Sequence, residues 1–422
     1  MAQKHRVVVT GLGLVSPVGN NVKDSWNSLM NSKSGISELE GFGEGNHHRN
    51  IGGLVKGEQE FLDSIFPRNK QRKTSRFMRL AVQAAHEAMT DAGLDRENPI
   101  ERGRLGTYLG VGMGGLEVLA EAISTIDKLG VKAISPFAIP RAIINQAAGW
   151  IAMEWNLQGP MVGVCNACAS GTDAIGLAFN AIQSGVADYM ISGGSEASLN
   201  QWGLAAFGNM RALSNWKGDA KSACRPFDKD RSGFVMAEGA GILVLERLDL
   251  AQKRGAKIYG EIVGYGAAAD AYHLTAMQPD GRGAVFAIRQ AIKQAQINSD
   301  DVGYVNAHGT STAMNDEAEV KILKTVFADK VNLKNPKRIL VSSTKSMTGH
   351  MIGGAGGAEA IFSLLALKNQ IVPPTINLDN PDKNFDIDFV AYVAREHEFK
   401  YALSNSFGFG GGNSVLAFKK FS

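Results

Sequence analysis

Short apolar runs with the composition of β-strands alternate with runs of helical periodicity along the whole chain. Alternation of this kind is typical of a layered α/β fold. The predicted strands are 6–10, 105–111, 160–165, 189–193, 241–246, 258–264, 303–307, 339–343, 402–406 and 413–418. The predicted helices are 76–92, 171–184, 284–296, 316–327 and 356–369. No low-complexity tract separates them, so the pattern predicts α/β architecture throughout.

Composition limits the class of protein without choosing a function. With 422 residues, 44% of them hydrophobic, the chain can bury a large core, and its length favours two or three domains. A net charge of +3 is too small to indicate binding to nucleic acid or to a membrane surface. No apolar run reaches the roughly 18 residues of a membrane span, and the first strand begins too early for a signal peptide. Three cysteines indicate a reducing compartment, so we expect a cytoplasmic protein.

Cys168 lies where a predicted strand meets a predicted helix. A thiol at such a junction is close to unpaired backbone N–H groups and to the positive end of the helix dipole, and both favour the thiolate. The small residues at 167 and 169–171 permit a tight turn and leave room for a substrate carbonyl. A lone cysteine beside an apolar strand is nevertheless more often part of an inert core. A nucleophilic role for Cys168 therefore depends on a base elsewhere in the chain.

Cys165 and Cys168 also have the spacing of a redox dithiol or of half a zinc site. Zinc would need further ligands, and the remaining Cys224 has no partner at such a spacing. In a dithiol the first cysteine would attack, yet Cys165 is the one inside the apolar run. Neither alternative is favoured over a single nucleophile.

Two histidines are candidates for the base. His308 follows the predicted strand 303–307 and enters a turn of Gly, Thr and Ser residues. The predicted strand 339–343 is followed by Lys345 and then by His350, in a glycine-rich turn. One histidine at a strand end is usually structural, but two in similar positions favour a function. Their spacing in the sequence does not place either one beside Cys168.

A series of motifs in a fixed order resembles the β-ketoacyl-[acyl carrier protein] synthases of the thiolase superfamily, and is most similar to their elongating type II members. They include Ala-Cys-Ala-Ser-Gly at 167–171, Asn-Ala-His-Gly-Thr-Ser-Thr at 306–312, Lys-Ser-Met-Thr-Gly-His at 345–350 and Asn-Ser-Phe-Gly-Phe-Gly-Gly at 405–411. Further motifs lie at 6–13, 211–214, 225–230 and 270–275. Each is weak alone, but together they run almost from end to end and make the resemblance specific.

The resemblance implies a thiolase-like fold of five layers, αβαβα, made of two similar halves. Residues 1–255 would form the half that carries the nucleophilic cysteine. Residues 256–422 would form the half that carries the two histidines and the gate loop. It also implies a homodimer with the site near the subunit interface.

The same resemblance implies a decarboxylative Claisen condensation. Cys168 would accept an acyl group from a carrier thioester, and His308 and His350 would assist the decarboxylation of malonyl-[acyl carrier protein]. The enolate would then attack the acyl-cysteine and lengthen a fatty acyl chain by two carbons. Lys345 would order His350 and the polar network around it. No cofactor is implied beyond the phosphopantetheine arm of the acyl carrier protein, which is the implied partner.

The remaining site residues are implied in the same way. Phe407 would be a gating phenylalanine whose backbone N–H forms an oxyanion hole with that of Cys168, and Phe409 would belong to the mobile gate loop. Glu359 would be a structural glutamate; no metal is required, although in some members this residue helps to hold a monovalent cation. The residues implied in docking the carrier protein are Arg72, Lys73 and Arg211, and those implied in contacting its pantetheine arm are Thr275, Thr310 and Thr312.

The chain departs from the family pattern at several positions. Asn166 stands where threonine is usual, Gly412 where threonine is frequent in the gate loop, and Ala313 where proline is common. Residues 37–50 lack the usual Phe-Asp ending. None of these positions belongs to the Cys-His-His set, so they bear on chain-length preference and not on the reaction class.

Other functions are less compatible with the sequence. A biosynthetic thiolase would need a second late cysteine, and none follows Cys224; a non-catalytic chain-length subunit would normally lack the nucleophile that Cys168 supplies. The segment 11–16 imitates a dinucleotide fingerprint but lacks its third glycine, which disfavours a nicotinamide-dependent oxidoreductase. The open alternative is a ketosynthase of a specialised polyketide or aryl-polyene pathway, which would form the same bond on different acyl chains.

Overall fold

The computed structural model describes residues 4–40, 50–57, 66–96, 100–335 and 337–422, so most of the departing segment 37–50 lies outside the described residues. It contains a ten-stranded mixed sheet and two small two-stranded sheets. The strands are β1 Val7–Val15, β2 Ser37–Glu38, β3 Ile51–Gly52, β4 Leu105–Gly110, β5 Met161–Val164, β6 Tyr189–Glu196, β7 Gly239–Arg247, β8 Gly260–Ala269, β9 Val302–Asn306, β10 Leu340–Ser342, β11 Ile371–Val372, β12 Arg395–Glu396, β13 Tyr401–Gly408 and β14 Gly412–Lys419.

The large sheet contains the same arrangement of strands twice. Its order is β10-β9-β13-β14-β8-β1-β7-β6-β4-β5. Counting outward from β1, two antiparallel pairings are followed by two parallel ones, and the same holds outward from β8. The two sets join where β1 and β8 pair antiparallel, from Val7 opposite Ile262 to Val9 opposite Gly260. This repeat is visible only in the strand pairing; the predicted boundary at residue 255 stays a prediction.

Helices cover both outer faces of the two sheet halves and fill the space between them. The helices are α1 Val22–Met30, α2 Arg68–Gln71, α3 Arg76–Asp91, α4 Leu116–Leu129, α5 Ala138–Ala142, α6 Gln146–Trp155, α7 Ser170–Gln183, α8 Gln201–Asn209, α9 Leu248–Lys253, α10 Arg282–Gln294, α11 Ala313–Phe327, α12 Lys345–Thr348 and α13 Ala355–Asn369. Within the described ranges, none of them has the length and apolar composition needed to cross a membrane.

Two central helices define the layers. Both α7 and α13 contact strands of each sheet half, while α3 packs on β1 and β7 and α10 packs on β8 and β14. The sequence of layers is therefore α, β, α, β, α, and the predicted α/β fold of five layers is confirmed. Every residue of α13 from Ala355 to Leu367 is buried, as a helix covered on both sides must be.

The predicted strands and helices are present, and the main difference lies in β1. The prediction ended this strand at residue 10, before the segment 11–16 that imitates a dinucleotide fingerprint. Instead β1 continues to Val15, and the glycines at 11 and 13 let α3 lie directly on the sheet. A Cβ on Gly13 would come within 1.8 Å of the Ala84 backbone oxygen. These glycines therefore serve helix–sheet packing and not the binding of a dinucleotide.

Candidate active site

Cys168 lies in a single 3₁₀ turn, Ala167–Ala169, between β5 and α7. The turn is closed by hydrogen bonds from the Ala169 N–H to the Asn166 oxygen (2.9 Å) and from the Ser170 hydroxyl to the Ala167 oxygen (2.7 Å). Ala167 has a φ of 46°, a left-handed conformation that is costly for a residue with a side chain. Strain of this kind persists where the surrounding structure holds the backbone in place, and it is typical of functional sites.

One cavity of about 310 Å³ collects most of the predicted site residues. Cys168, His308 and His350, which are far apart in the sequence, all line it. Its other predicted members are Arg211, Thr275, Thr310, Thr312, Phe407 and Phe409. The structure therefore brings the thiol and the two imidazoles into one chamber, as the motifs led us to expect.

The two imidazoles lie next to each other in the wall of the cavity. The ring centroids of His308 and His350 are 5.5 Å apart, and the rings are nearly perpendicular at 85°. Both side chains are buried. Two N–H donors this close together can bind a single oxygen atom that develops negative charge.

Glu319 holds the turn that carries His308. Its two carboxylate oxygens accept the backbone N–H groups of His308 (2.8 Å) and Gly309 (2.7 Å), and burial raises the pKa of this carboxyl to about 7. No motif in the sequence pointed to this residue. The available signal was an acidic residue on the same face of the predicted helix 316–327 as Ile322 and Leu323.

Lys345 lies beside His308, with its Nζ 3.5 Å from Nδ1 of that ring. Its charge also acts on His350, and the expectation that Lys345 orders His350 stays a prediction. Burial, followed by the charge of Lys345, lowers the pKa of His308 well below its ordinary value of 6.5. With Lys345 next to Nδ1, the proton of the neutral imidazole belongs on Nε2.

His350 is held by its backbone. Its N–H donates to the Val235 oxygen (2.8 Å), and its oxygen accepts the Ala237 N–H (2.9 Å). Neither ring nitrogen has a hydrogen-bond partner among the described residues. Burial, with the Lys345 charge as the second cause, also lowers the pKa of His350 well below 6.5. Both histidines are therefore neutral near pH 7.

Lys345 and Glu359 form an ion pair beneath the cavity. Lys345 begins the short helix α12, where the sequence had suggested a turn, and its Nζ donates to Oε1 of Glu359. The two side chains are only 1% and 3% exposed. Oε2 of Glu359 has no hydrogen-bond partner in the part of the chain that the structure describes. Whether a monovalent cation binds there stays a prediction.

The thiol of Cys168 does not have the lowered pKa that its place before a helix suggested. Burial raises the pKa to about 12, although the charge of Lys345 and the backbone N–H of Phe409 act in the opposite direction. Loss of hydration therefore outweighs the favourable dipoles. The resting form near pH 7 is therefore the thiol.

The backbone N–H of Phe409 lies near the Cys168 sulfur and acts to lower the pKa of the thiol. Phe407 lies inside β13, is 5% exposed, and packs its ring 5.5 Å from that of His308. Phe409 is half-buried in the turn between β13 and β14, with its ring 6.3 Å from that of Phe207. Phe407 is therefore a packed strand residue, whereas Phe409 lies in the turn, the place expected for a residue of the gate loop; the gate and oxyanion-hole roles stay predictions.

Polar residues surround the other parts of the cavity. Thr310 and Thr312 have their hydroxyl oxygens 3.0 Å apart. Thr275 and Arg211 also line the cavity and are exposed to solvent. A polar molecule that reaches the thiol through the cavity would therefore pass the threonine hydroxyl groups and the positive charge of Arg211.

The basic residues before α3 are not all equivalent. Lys70 forms an ion pair with Glu154, and Arg76 forms one with the buried Glu238. Arg72 and Lys73 are exposed and lie outside the cavity lining. Of the three basic residues that the resemblance singled out for docking, these two are therefore on the surface, where the Nζ of Lys73 lies 5.4 Å from the centre of the Phe137 ring.

Comparisons with known proteins agree with this geometry. The model of the "Beta-ketoacyl synthase, N-terminal domain" matches residues 4–251, and that of the "Beta-ketoacyl synthase, C-terminal domain" matches residues 259–379. The 3-oxoacyl-[acyl-carrier-protein] synthase 2 of Synechocystis is 46% identical over 421 residues, and that of Vibrio cholerae is 44% identical over 418 residues; each match covers 99% of both chains. A solved type II PKS acyl-carrier protein in complex with its ketosynthase bound to the hexaketide has a TM-score of 0.91 at 34% identity, covering 99% of this chain and 100% of that one.

Proposed function

Because the chain belongs to the β-ketoacyl synthase family, we propose that it is an elongating 3-oxoacyl-[acyl-carrier-protein] synthase of type 2. It is an acyltransferase that condenses malonyl-[acyl carrier protein] with a fatty acyl group held on Cys168. The observation that carries this proposal is the single cavity in which the thiol meets two neutral imidazoles.

The first half-reaction transfers the acyl group to the enzyme. The Cys168 sulfur bonds to the thioester carbon, the bond from that carbon to the pantetheine sulfur breaks, and pantetheine leaves as the thiol with the proton from Cys168. Exchange of one thioester for another is close to thermoneutral, which suits a thiol nucleophile. The backbone N–H groups of Cys168 and Phe409 would stabilise the oxyanion of the tetrahedral intermediate.

The second half-reaction forms the carbon–carbon bond. The malonyl group loses CO2, and the electron pair of the broken bond forms an enolate. The enolate oxygen accepts hydrogen bonds from the ring N–H groups of His308 and His350. The enolate carbon attacks the acyl carbon and displaces the Cys168 sulfur. A preorganised donor of this type contributes roughly 3 kcal/mol, a factor of about a hundred or more.

Several supporting roles are part of the proposal. Phe409, in the turn next to the thiol, would act as the gate, while Lys345 holds the tautomer of His308 and Glu359 neutralises Lys345. Arg72, Lys73 and Arg211 would dock the acidic acyl carrier protein, and Thr275, Thr310 and Thr312 would contact the pantetheine arm. The solvent exposure of Arg72 and Lys73 and the cavity positions of the others support this assignment.

We further propose that two copies of the chain form a homodimer. β5 is an outer strand of the ten-stranded sheet, and its residues Met161 and Val162 are each 43% exposed. An apolar edge strand of this kind is suited to pairing with another chain. A cytoplasmic location rests on a different observation, the three free cysteines.

Fatty acyl elongation is favoured over a specialised polyketide role. The full-length identity to relatives named synthase 2 is 44 and 46%, whereas the ketosynthase bound to a hexaketide is 34% identical. Both roles use the same Cys-His-His chemistry, so the preference for fatty acyl elongation rests on the difference in sequence identity.

The decisive experiment combines acyl carrier proteins of different chain length with malonyl-[acyl carrier protein] and maps acylation by mass spectrometry. We expect label on Cys168, and Cys168→Ala should lose both labelling and condensation. His308→Ala and His350→Ala should still be labelled while condensing slowly. Normal condensation by Cys168→Ala would overturn the proposal, and the chain lengths that load would test the fatty acyl assignment.

A further inference from the structure

Asn166 and Gly412 are distant in sequence but touch in the fold. Gly412 begins β14 and pairs with Gly408, the last residue of β13. A Cβ atom on Gly412 would come within 2.4 Å of Oδ1 and 2.6 Å of Nδ2 of Asn166. A larger residue therefore fits at position 412 only if the Asn166 side chain moves.

Hydrogen bonds hold Asn166 in place, and a movement of its side chain would break them. Its Nδ2 donates to Oδ2 of Asp173 at 2.6 Å, and its backbone N–H donates to the Ser170 hydroxyl at 2.8 Å. The buried Asp173, in the first turn of α7, also accepts hydrogen bonds from the hydroxyls of Tyr265 (2.7 Å) and Ser414. A buried carboxylate that loses a hydrogen-bond donor has no water to replace it, and the protein is destabilised. The Asn166 amide is therefore held firmly in place.

The other strand of the hairpin lies against the backbone of the same turn. A Cβ on Gly408 would lie 2.8 Å from the Asn166 oxygen and 3.3 Å from the Cys168 nitrogen. The three residues between Gly408 and Gly412 form the hairpin turn, which begins with Phe409, whose N–H faces the Cys168 sulfur. How closely the hairpin end approaches Asn166 therefore sets how closely that N–H approaches the sulfur.

We propose that Asn166 and Gly412 are a size-matched pair that positions the hairpin turn, and with it the Phe409 N–H, against Cys168. Both are positioning residues, because neither is required to touch the reacting atoms. Asp173 fixes the Asn166 amide, and the absence of a side chain at Gly412 lets the hairpin close on it. In its effect on acyl transfer this inference rests on the proposed function.

A double-mutant cycle tests the pair through Gly412→Ala, Asn166→Ala and the combination of both. One measurement is hydrogen exchange of the 405–412 backbone by mass spectrometry, which requires no substrate. The other is the rate at which an acyl carrier protein acylates Cys168. Gly103→Ala is the matched control, since a Cβ there meets no atom of the described residues within 4 Å and Gly103 has no left-handed φ.

Gly412→Ala should speed hydrogen exchange in the hairpin turn and slow acylation by about 10- to 100-fold, the scale that a misplacement of about 1 Å produces. In the double variant the added methyl group no longer meets the amide, so exchange should slow again and acylation should exceed that of Gly412→Ala. Gly103→Ala should match the unaltered protein in both measurements.

The pair is refuted if Gly412→Ala leaves both measurements unchanged, or if the double variant shows the product of the two single effects. Should Gly412→Ala fail to fold, the double variant must fold for the inference to stand. If the unaltered protein is never acylated at Cys168, the proposed function fails, while the exchange cycle still decides whether the pair positions the turn.

Discussion

Burial controls the protonation of the individual site residues. It keeps the Cys168 thiol protonated, and it keeps His308 and His350 neutral. For the histidines this state suits the reaction, since a neutral imidazole can donate a hydrogen bond without adding a buried charge. For the cysteine it means that proton loss accompanies attack on the thioester. The buried positive charge of Lys345 lowers the pKa of all three groups, which favours the neutral histidines and eases proton loss from the thiol.

The first prediction concerns the pH dependence of condensation. Because the folded-state pKa of each histidine lies well below 6.5, the neutral donors persist as the pH falls through 6.5 and are protonated only at lower pH. We expect the rate of condensation by pre-acylated enzyme to stay level from about pH 8 to below pH 6.5 and then to fall. Single-turnover measurements with malonyl-[acyl carrier protein] test this. A midpoint at or above pH 6.5 would contradict the assignment of neutral donors.

A second prediction concerns the buried pair of Lys345 and Glu359. Lys345→Met leaves the carboxylate of Glu359 buried without its partner, and we expect a loss of about 3 to 5 kcal/mol in the free energy of unfolding. Adding Glu359→Gln removes the stranded charge and should recover part of that loss. Denaturant unfolding measures both variants. A double variant less stable than Lys345→Met would show that the charge pair is not the source of the effect.

At the scale of elements, two structures meet at Cys168, the proposed nucleophile: the start of α7 and the hairpin formed by β13 and β14. Asp173, in the first turn of α7, accepts hydrogen bonds from Tyr265 on β8 and Ser414 on β14. Asn166 and Gly412, two departures from the family pattern, are in contact at this meeting point. The nucleophile turn is therefore held by strands of the opposite sheet half.

The third prediction concerns Gly176, inside α7. A Cβ at this position would lie 2.2 Å from Cδ2 of Tyr265, whose hydroxyl is held by Asp173. Gly176→Ala should therefore destabilise the protein by about 1 to 3 kcal/mol through overpacking. Gly149→Ala, inside α6, is the control: its nearest atom is Oε1 of Gln146 at 3.7 Å, so it should gain about 0.5 to 1 kcal/mol from helix propensity. Equal effects of the two changes on thermal unfolding would contradict this account.

At the scale of the whole molecule, the strand repeat explains where the site residues originate. Cys168 follows β5, and His350 follows β10, the strand in the equivalent place of the other half. The helix α7 comes next in the first half, and α13 follows the short α12 in the second; each begins directly after a 3₁₀ turn. The site therefore forms where the two equivalent helix starts meet between the sheet halves.

The fourth prediction is the homodimer. Sedimentation should give the mass of two chains, and Val162→Lys, which places a charge on the apolar edge of β5, should shift the protein toward one chain. Leu333→Lys is a matched control, since Leu333 is 47% exposed and lies outside the strands and helices of the large sheet and its layers. A single-chain mass for the unaltered protein would refute the dimer.

Local sequence was sufficient to predict most of the strands and helices and the main candidate site residues. Apolar periodicity predicted the strands and helices, including α7 and α13, because these depend on residues a few positions apart. The motifs also selected Cys168, His308 and His350, since each occupies a recognisable strand-end turn. Glu319 was missed because no short-range pattern shows which backbone N–H groups a buried carboxylate accepts.

The amino-acid order alone determined the layered α/β class and the family, and it selected the three side chains that we propose react. Only the tertiary structure decided that Lys345 contacts His308, that Phe409 supplies the N–H at the thiol, that Asn166 fills the space over Gly412, and that the thiol is protonated at rest. Propensity and periodicity act between near neighbours in the chain, whereas hydration loss and close contacts depend on which distant elements pack together.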